Sequence, residues 1–236
     1  MNVARPTQLY ILDLGLVRYE RAWRIQKALV DRVYQRKIPG VLMMLEHPHV
    51  YTLGRRGKMS DLLLDEDGLK RLGVDVLRVD RGGEVTYHGP GQLVAYPILD
   101  LKSWGGPVKY VRSLEEALVR TLADFGIAGH TLEGLPGVWV GERKVAFIGV
   151  RISRGVTCHG ISLNVNTDLS FYDHIVPCGI PCLRVTSMER ASGGLLRMGD
   201  VRRSLTRSLG QVMGFAAVTH ADLQELLGEA TASLAR

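Results

Sequence analysis

The sequence predicts a mixed α/β or α+β domain built on a mixed β-sheet, on three observations. Short apolar runs with strand character interleave with segments of helical period. Two long strand-like runs, 144–153 and 156–166, adjoin through Arg154-Gly155, which reads as a hairpin and makes part of the sheet antiparallel. No internal repeat, low-complexity stretch or Pro/Gly/Ser-rich linker divides the 236 residues, so one domain is expected over 1–236.

Residues 7–13 (TQLYILD) read as a first strand. Across 18–36, Ala22, Ile25, Ala28, Leu29 and Val33 form a helical stripe that Pro39-Gly40 stops. Val41 to Leu45 suits a buried strand, Val74 to Val79 alternates as a half-buried one, and Leu93 to Leu99 is a further apolar strand. Pro107 near its start and Gly126 beyond its end delimit a helix with Val108, Val111, Leu118, Leu122 and Phe125 on one face. Segments around 200–213 and 220–235 read as helices.

Hydrophobic residues at 46% and charged residues at 23% are ordinary for a globular chain, and no run approaches the length of a membrane span. The N-terminus lacks the apolar core of a signal peptide, which points to the cytoplasm. An odd count of 3 cysteines argues against a disulfide framework, and their spacing lacks the paired pattern of a structural zinc site. The net charge of +6 suits a solvated basic surface or an acidic partner; no nucleic-acid motif accompanies it.

Three stretches exceed what a plain core requires. Arg81 to Gln92 (RGGEVTYHGPGQ) reads either as two turns around a short strand or as a glycine-rich ligand loop; it matches neither a P-loop nor a dinucleotide fingerprint. His47 and His49 have no third ligand nearby, so metal is set aside. Lys144 opens an apolar run: it is either a snorkelling surface lysine or one aimed into a pocket. Cys178, between Pro177 and Gly179, looks like an exposed bend. Cys182, also after a proline, rivals it, and Cys158 lies in an apolar run and reads as packing.

In order along the chain, EHP (46–48), YTLGR (51–55), RGGEVTYHGPGQLVAYPILDL (81–101), GERKVAFIGVR (141–151), HGISLNVN (159–166) and PCGI (177–180) resemble the octanoyltransferase family of lipoate biosynthesis. His49, where the family commonly has proline, is a departure outside the signature. The resemblance implies a lipoate/biotin-ligase-like fold, with a mixed sheet flanked by helices. It implies Cys178 as acyl-thioester nucleophile and Lys144 as the group that lowers its pKa. It implies an acyl pocket lined by Arg81, Gly82, Gly83, Glu84, Val85, Thr86, Tyr87, His88, Phe147, Ile148, Gly149, Gly160, Ile161 and Ser162. The implied donor is octanoyl-acyl carrier protein. The implied acceptors are apo lipoyl domains of 2-oxoacid dehydrogenase E2 subunits and the glycine cleavage H protein, with no metal or other cofactor. Thioester exchange is nearly isoenergetic and amide formation runs downhill, so no nucleotide is consumed.

Three alternatives rank lower. An ATP-dependent lipoate– or biotin–protein ligase of the same fold needs no cysteine. A lipoyl-domain amidotransferase shares the cysteine but differs in donor. A non-catalytic binding module leaves the Lys144–Cys178 pairing without purpose.

Overall fold

The computed structural model describes residues 7–228. Its elements are β1 (Gln8–Leu16), α1 (Tyr19–Tyr34), β2 (Val41–Glu46), β3 (Val50–Leu53), α2 (Glu66–Leu72), β4 (Asp75–Arg78), β5 (Val85–His88), β6 (Gln92–Ile98) and α3 (Pro107–Ala123). There follow β7 (His130–Leu132), β8 (Leu135–Val140), β9 (Arg143–Ser153), β10 (Val156–Asn164), α4 (Met188–Ser192), α5 (Met198–Met213), β11 (Ala217–His220) and α6 (Leu223–Leu227). Eight strands form the main sheet in the order β11-β1-β2-β6-β10-β9-β8-β7, and β4-β3-β5 form a smaller sheet beside it. The β11–β1–β2 pairings and β3–β4 are parallel and the rest antiparallel, so both sheets are mixed.

Strand alternation splits the core into two layers. On β2, Val41, Met43 and Leu45 face Ile25, Leu29 and Val33 of α1. Leu42 and Met44 face the opposite way, toward Leu114 and Leu118 of α3 and Leu205 and Leu209 of α5. Each such side chain buried outright contributes about 1.5–3 kcal/mol, which fixes the register of the central strands. A third cluster, around Tyr51, Val85, Tyr87, Phe147 and Tyr172, joins the small sheet to β9.

The helix expected at 18–36 is α1, and the proline-led helix is α3 with Pro107 in its first turn. The 144–153 and 156–166 runs are the β9–β10 hairpin, with Ser153 opposite Val156. The segment 220–235 differs. His220 ends an exposed edge strand, and the helix starts only after Asp222 caps it, accepting from Glu225 N–H at 2.7 Å. That helix stops before Gly228, at φ 71°, and residues 229–236 lie outside those described.

Candidate active site

Cys178 lies in a single 3-10 turn, Pro177–Gly179, with its own backbone in the left-handed region at φ 57° and ψ 16°. Left-handed backbone at a non-glycine residue is costly and concentrates at functional sites. The turn is closed by Gly179 N–H donating to Val176 C=O at 3.0 Å and Ile180 N–H to Pro177 C=O at 3.0 Å. The segment that follows is fastened to β9 at Lys144. Lys144 N–H donates to Arg184 C=O, and Thr186 N–H donates to Lys144 C=O, each at 2.9 Å.

These two connections bring the amine to the thiol. Lys144 is 3% exposed, and its Nζ stands 3.8 Å from Cys178 Sγ while donating to Pro136 C=O at 2.8 Å. The ammonium lies 5.1 Å and 5.3 Å from the ring centroids of Phe147 and Trp139. Gly137 makes the passage possible. At φ +130°, a Cβ there would stand 2.6 Å from Lys144 Cε and 2.5 Å from Ala146 C=O. Gly137→Ala is therefore expected to cost about 2 kcal/mol or more and to displace the amine. Urea denaturation and thiol alkylation would check this; a variant unchanged in both would mean that the lysine does not need the gap.

Burial pushes the Cys178 thiol up, and Lys144, then Arg81, pull it back; the balance stays on the raised side. Lys144 thus works in the direction the resemblance implies, against a larger burial effect. Arg81 is 7% exposed and donates to neutral oxygens: Thr52 C=O (2.6 Å), Thr52 Oγ1 (2.8 Å) and Gly82 C=O (2.9 Å). These hydrogen bonds leave its charge uncancelled beside the thiol.

A cavity of about 420 Å³ opens in front of the pair. Arg81, Gly82, Gly83, Glu84, Val85, Thr86 and His88 line it, together with Phe147, Ile148, Gly149, Gly160, Ile161 and Ser162. Tyr87 stands apart: its ring lies on Phe171 at 4.9 Å, and its hydroxyl is hydrogen-bonded to His49 Nδ1 at 2.8 Å. Gly149 and Gly160 face each other across β9 and β10 and leave the wall bare. A Cβ on Gly160 would stand 2.5 Å from Ala95 C=O. The Thr86 hydroxyl, buried against the cavity, has no partner among the described residues.

Tyr19, Tyr96 and His159 also line the cavity, and sequence reasoning passed over them. His47 Nδ1–H donates to Val17 C=O at 2.7 Å, so its Nε2 accepts from Tyr96 O–H at 2.9 Å. His159 Nε2–H donates to Asp80 at 2.7 Å and its Nδ1 accepts from Tyr19 O–H at 3.2 Å. Burial lowers His47 to about 4, and burial with Arg81, Arg151 and Lys27 lowers His159 to about 3, so both rings are neutral. His159 opens the HGISLNVN stretch and Tyr96 lies within the 81–101 stretch, signals within reach; Tyr19 lies in α1 with no local pattern to mark it.

A helix-flanked mixed sheet with an acyl-sized cavity before a lysine and a cysteine defines a lipoyl-ligase type of catalytic domain, and the family model described as "Lipoyl protein ligase A/B catalytic domain" matches residues 18–210. An octanoyltransferase of Solibacter usitatus is 48% identical over 212 residues, covering 89% of this chain and 96% of the relative. One of Acidobacterium capsulatum is 46% identical over 222 residues, covering 87% and 90%. The chain belongs to this octanoyltransferase family. For the fold, a bipartite lipoate protein ligase from Thermoplasma acidophilum aligns with a TM-score of 0.76 at 20% identity, over 98% of this chain and 91% of that one.

Proposed function

We propose that the chain transfers an octanoyl group from octanoyl-acyl carrier protein to a specific lysine of apo lipoyl domains, through a thioester on Cys178. The acceptors are the lipoyl domains of 2-oxoacid dehydrogenase E2 subunits and the glycine cleavage H protein, and the setting is the cytoplasm. The observation that carries this reading is the 3.8 Å approach of Lys144 Nζ to Cys178 Sγ at the wall of the cavity. Among the described residues no helix is long and apolar enough to cross a membrane.

The cavity walls formed by Val85, Phe147, Ile148 and Ile161 would take the acyl chain. At about 0.8 kcal/mol per buried CH₂, its methylenes supply several kcal/mol of binding. In the first half-reaction Cys178 gives up its proton as its sulfur attacks the donor thioester carbon, with the charge of Lys144 held beside it. The carrier's sulfur leaves and takes up a proton. Burial of the free thiol, which raises its pKa, keeps it protonated until substrate arrives, and the adjacent ammonium stabilises the thiolate as it forms. In the second, the neutral ε-amine of the acceptor lysine attacks the acyl-enzyme carbon. The amine yields one proton, Lys144 relays one to the departing sulfur, and the free thiol returns.

The ligase alternative needs no thiol at this position. Intact mass spectrometry after mixing the protein with octanoyl-acyl carrier protein, without ATP, separates the two. One octanoyl group, removed by hydroxylamine and absent from Cys178→Ala, is the expected result. A label persisting in Cys178→Ala would move the nucleophile to Cys182 or Cys158. Modification that required ATP and free octanoate would overturn the transferase in favour of the ligase.

A further inference from the structure

β5 is an edge strand: among the described residues it pairs with β3 alone. Gly54 N–H donates to Glu84 C=O at 2.9 Å, and the register continues with Leu53 opposite Val85 and Thr52 opposite Thr86. Opposed residues in an antiparallel pair alternate between bonded and non-bonded sites. Glu84, Thr86 and His88 therefore turn their backbone groups toward β3, while Val85 and Tyr87 turn theirs outward. The Tyr87 carbonyl fits this alternation, accepting from Gln92 Nε2 at 3.1 Å on the outer side. Val85 is 1% exposed, yet its outward N–H meets no acceptor among the described residues. Buried backbone donors are rarely left orphaned, so one on a residue that lines a cavity marks a place for an acceptor.

The turn that carries Cys178 packs against this edge. A Cβ on Gly179 would stand 3.0 Å from Glu84 Cγ, and Cys178 packs against the cluster that contains Val85. Val85 and Cys178 both line the cavity. We infer that the Val85 N–H is the oxyanion donor of the acyl transfer, hydrogen-bonding the thioester oxygen as the carbonyl carbon becomes tetrahedral. This rests on the acyl-enzyme reading above. When Cys178 Sγ bonds to the carbon, the carbonyl π pair moves to oxygen, where Val85 N–H receives it. Collapse restores the C=O and expels the donor sulfur, and the same donor serves when the acceptor amine attacks. A donor fixed in a strand needs no reorganisation at the moment of reaction, which is what makes such a group effective.

Two variants remove this N–H by different means. Val85→Pro is admissible because edge strands tolerate proline where the N–H points away from the ladder. Replacing Val85 by its α-hydroxy acid turns the 84–85 amide into an ester and keeps the side chain. The acylation rate with octanoyl-N-acetylcysteamine would be read by quenched-flow mass spectrometry. Affinity for the same thioester would be read by calorimetry in a Cys178→Ala background. Both variants are expected to acylate about 10²–10³-fold more slowly, with affinity unchanged within a few-fold. Normal acylation by the ester variant overturns the assignment, whatever the proline variant does, and so does a loss confined to affinity. A parent protein that forms no acyl-enzyme at all would instead remove the transferase reading on which the assignment stands.

Discussion

Lys144→Met is expected to slow octanoyl transfer by about 10³–10⁴-fold while leaving the protein at least as stable as its parent. The catalytic loss follows from removing the amine that stands 3.8 Å from the thiol, and positioned acid–base groups are worth about 10²–10⁴-fold. Loss of thiolate stabilisation places the effect at the upper end. Stability moves the other way. Lys144 is 3% exposed between Trp139 and Phe147, and a buried cation keeps a desolvation cost that its hydrogen bond to Pro136 C=O only partly offsets. Methionine fills nearly the same volume without that charge. The thiol should report the change directly. Lys144 pulls the Cys178 pKa down, so its removal lets burial push the thiol higher, and iodoacetamide alkylation should shift to higher pH. Transfer within about threefold of the parent, with an unmoved alkylation profile, would remove Lys144 from the reaction.

The contrast between legible and illegible parts of the fold has a physical basis. α1 and α3 could be read because a stripe such as Ala22–Ile25–Leu29–Val33 shows which face is buried without reference to the rest of the chain. β2 and β6 could be read because strands buried on both faces are continuously apolar. β8 escaped because it opens on Leu135-Pro136-Gly137, residues that signal a turn. Its proline and glycine are there for the lysine: Pro136 offers the carbonyl that receives Nζ, and Gly137 clears the path. β7 and β11 are short, exposed edges whose pairing depends on partners elsewhere. The site divides the same way. Residues on contiguous motifs were within reach, whereas Tyr19 comes to the cavity only through the stacking of α1 on the sheet. Tyr87 shows the converse: it belongs to a contiguous motif, yet its ring packs on Phe171 while Val85, two residues earlier in the same strand, lines the cavity.

The neutral histidines behind that cavity should make the protein lose stability in mild acid. His47 is fully buried and held at about 4 in the folded chain, against 6.5 when exposed. Below 6.5 the unfolded chain takes up a proton that the folded chain refuses, so unfolding is favoured as pH falls. His47's contribution is whole above 6.5 and is lost progressively down to about 4. A difference of that size corresponds to about 3 kcal/mol. His88 and His159 are also lowered chiefly by burial and act in the same direction; because the rings interact, their effects do not simply sum. Asp124 and Asp168 have pKa values lowered from 3.8, so the stability they contribute is lost below this window. Urea denaturation between pH 7.5 and 4.5 is expected to show a fall of about 3 kcal/mol or more. His47→Gln should flatten the slope by about one proton, at the cost of a lower plateau near neutrality. A stability constant from pH 7 to 5 would mean that these rings accept protons inside the fold, and that their hydrogen bonds to Val17 C=O and Asp80 are made by charged rather than neutral imidazoles.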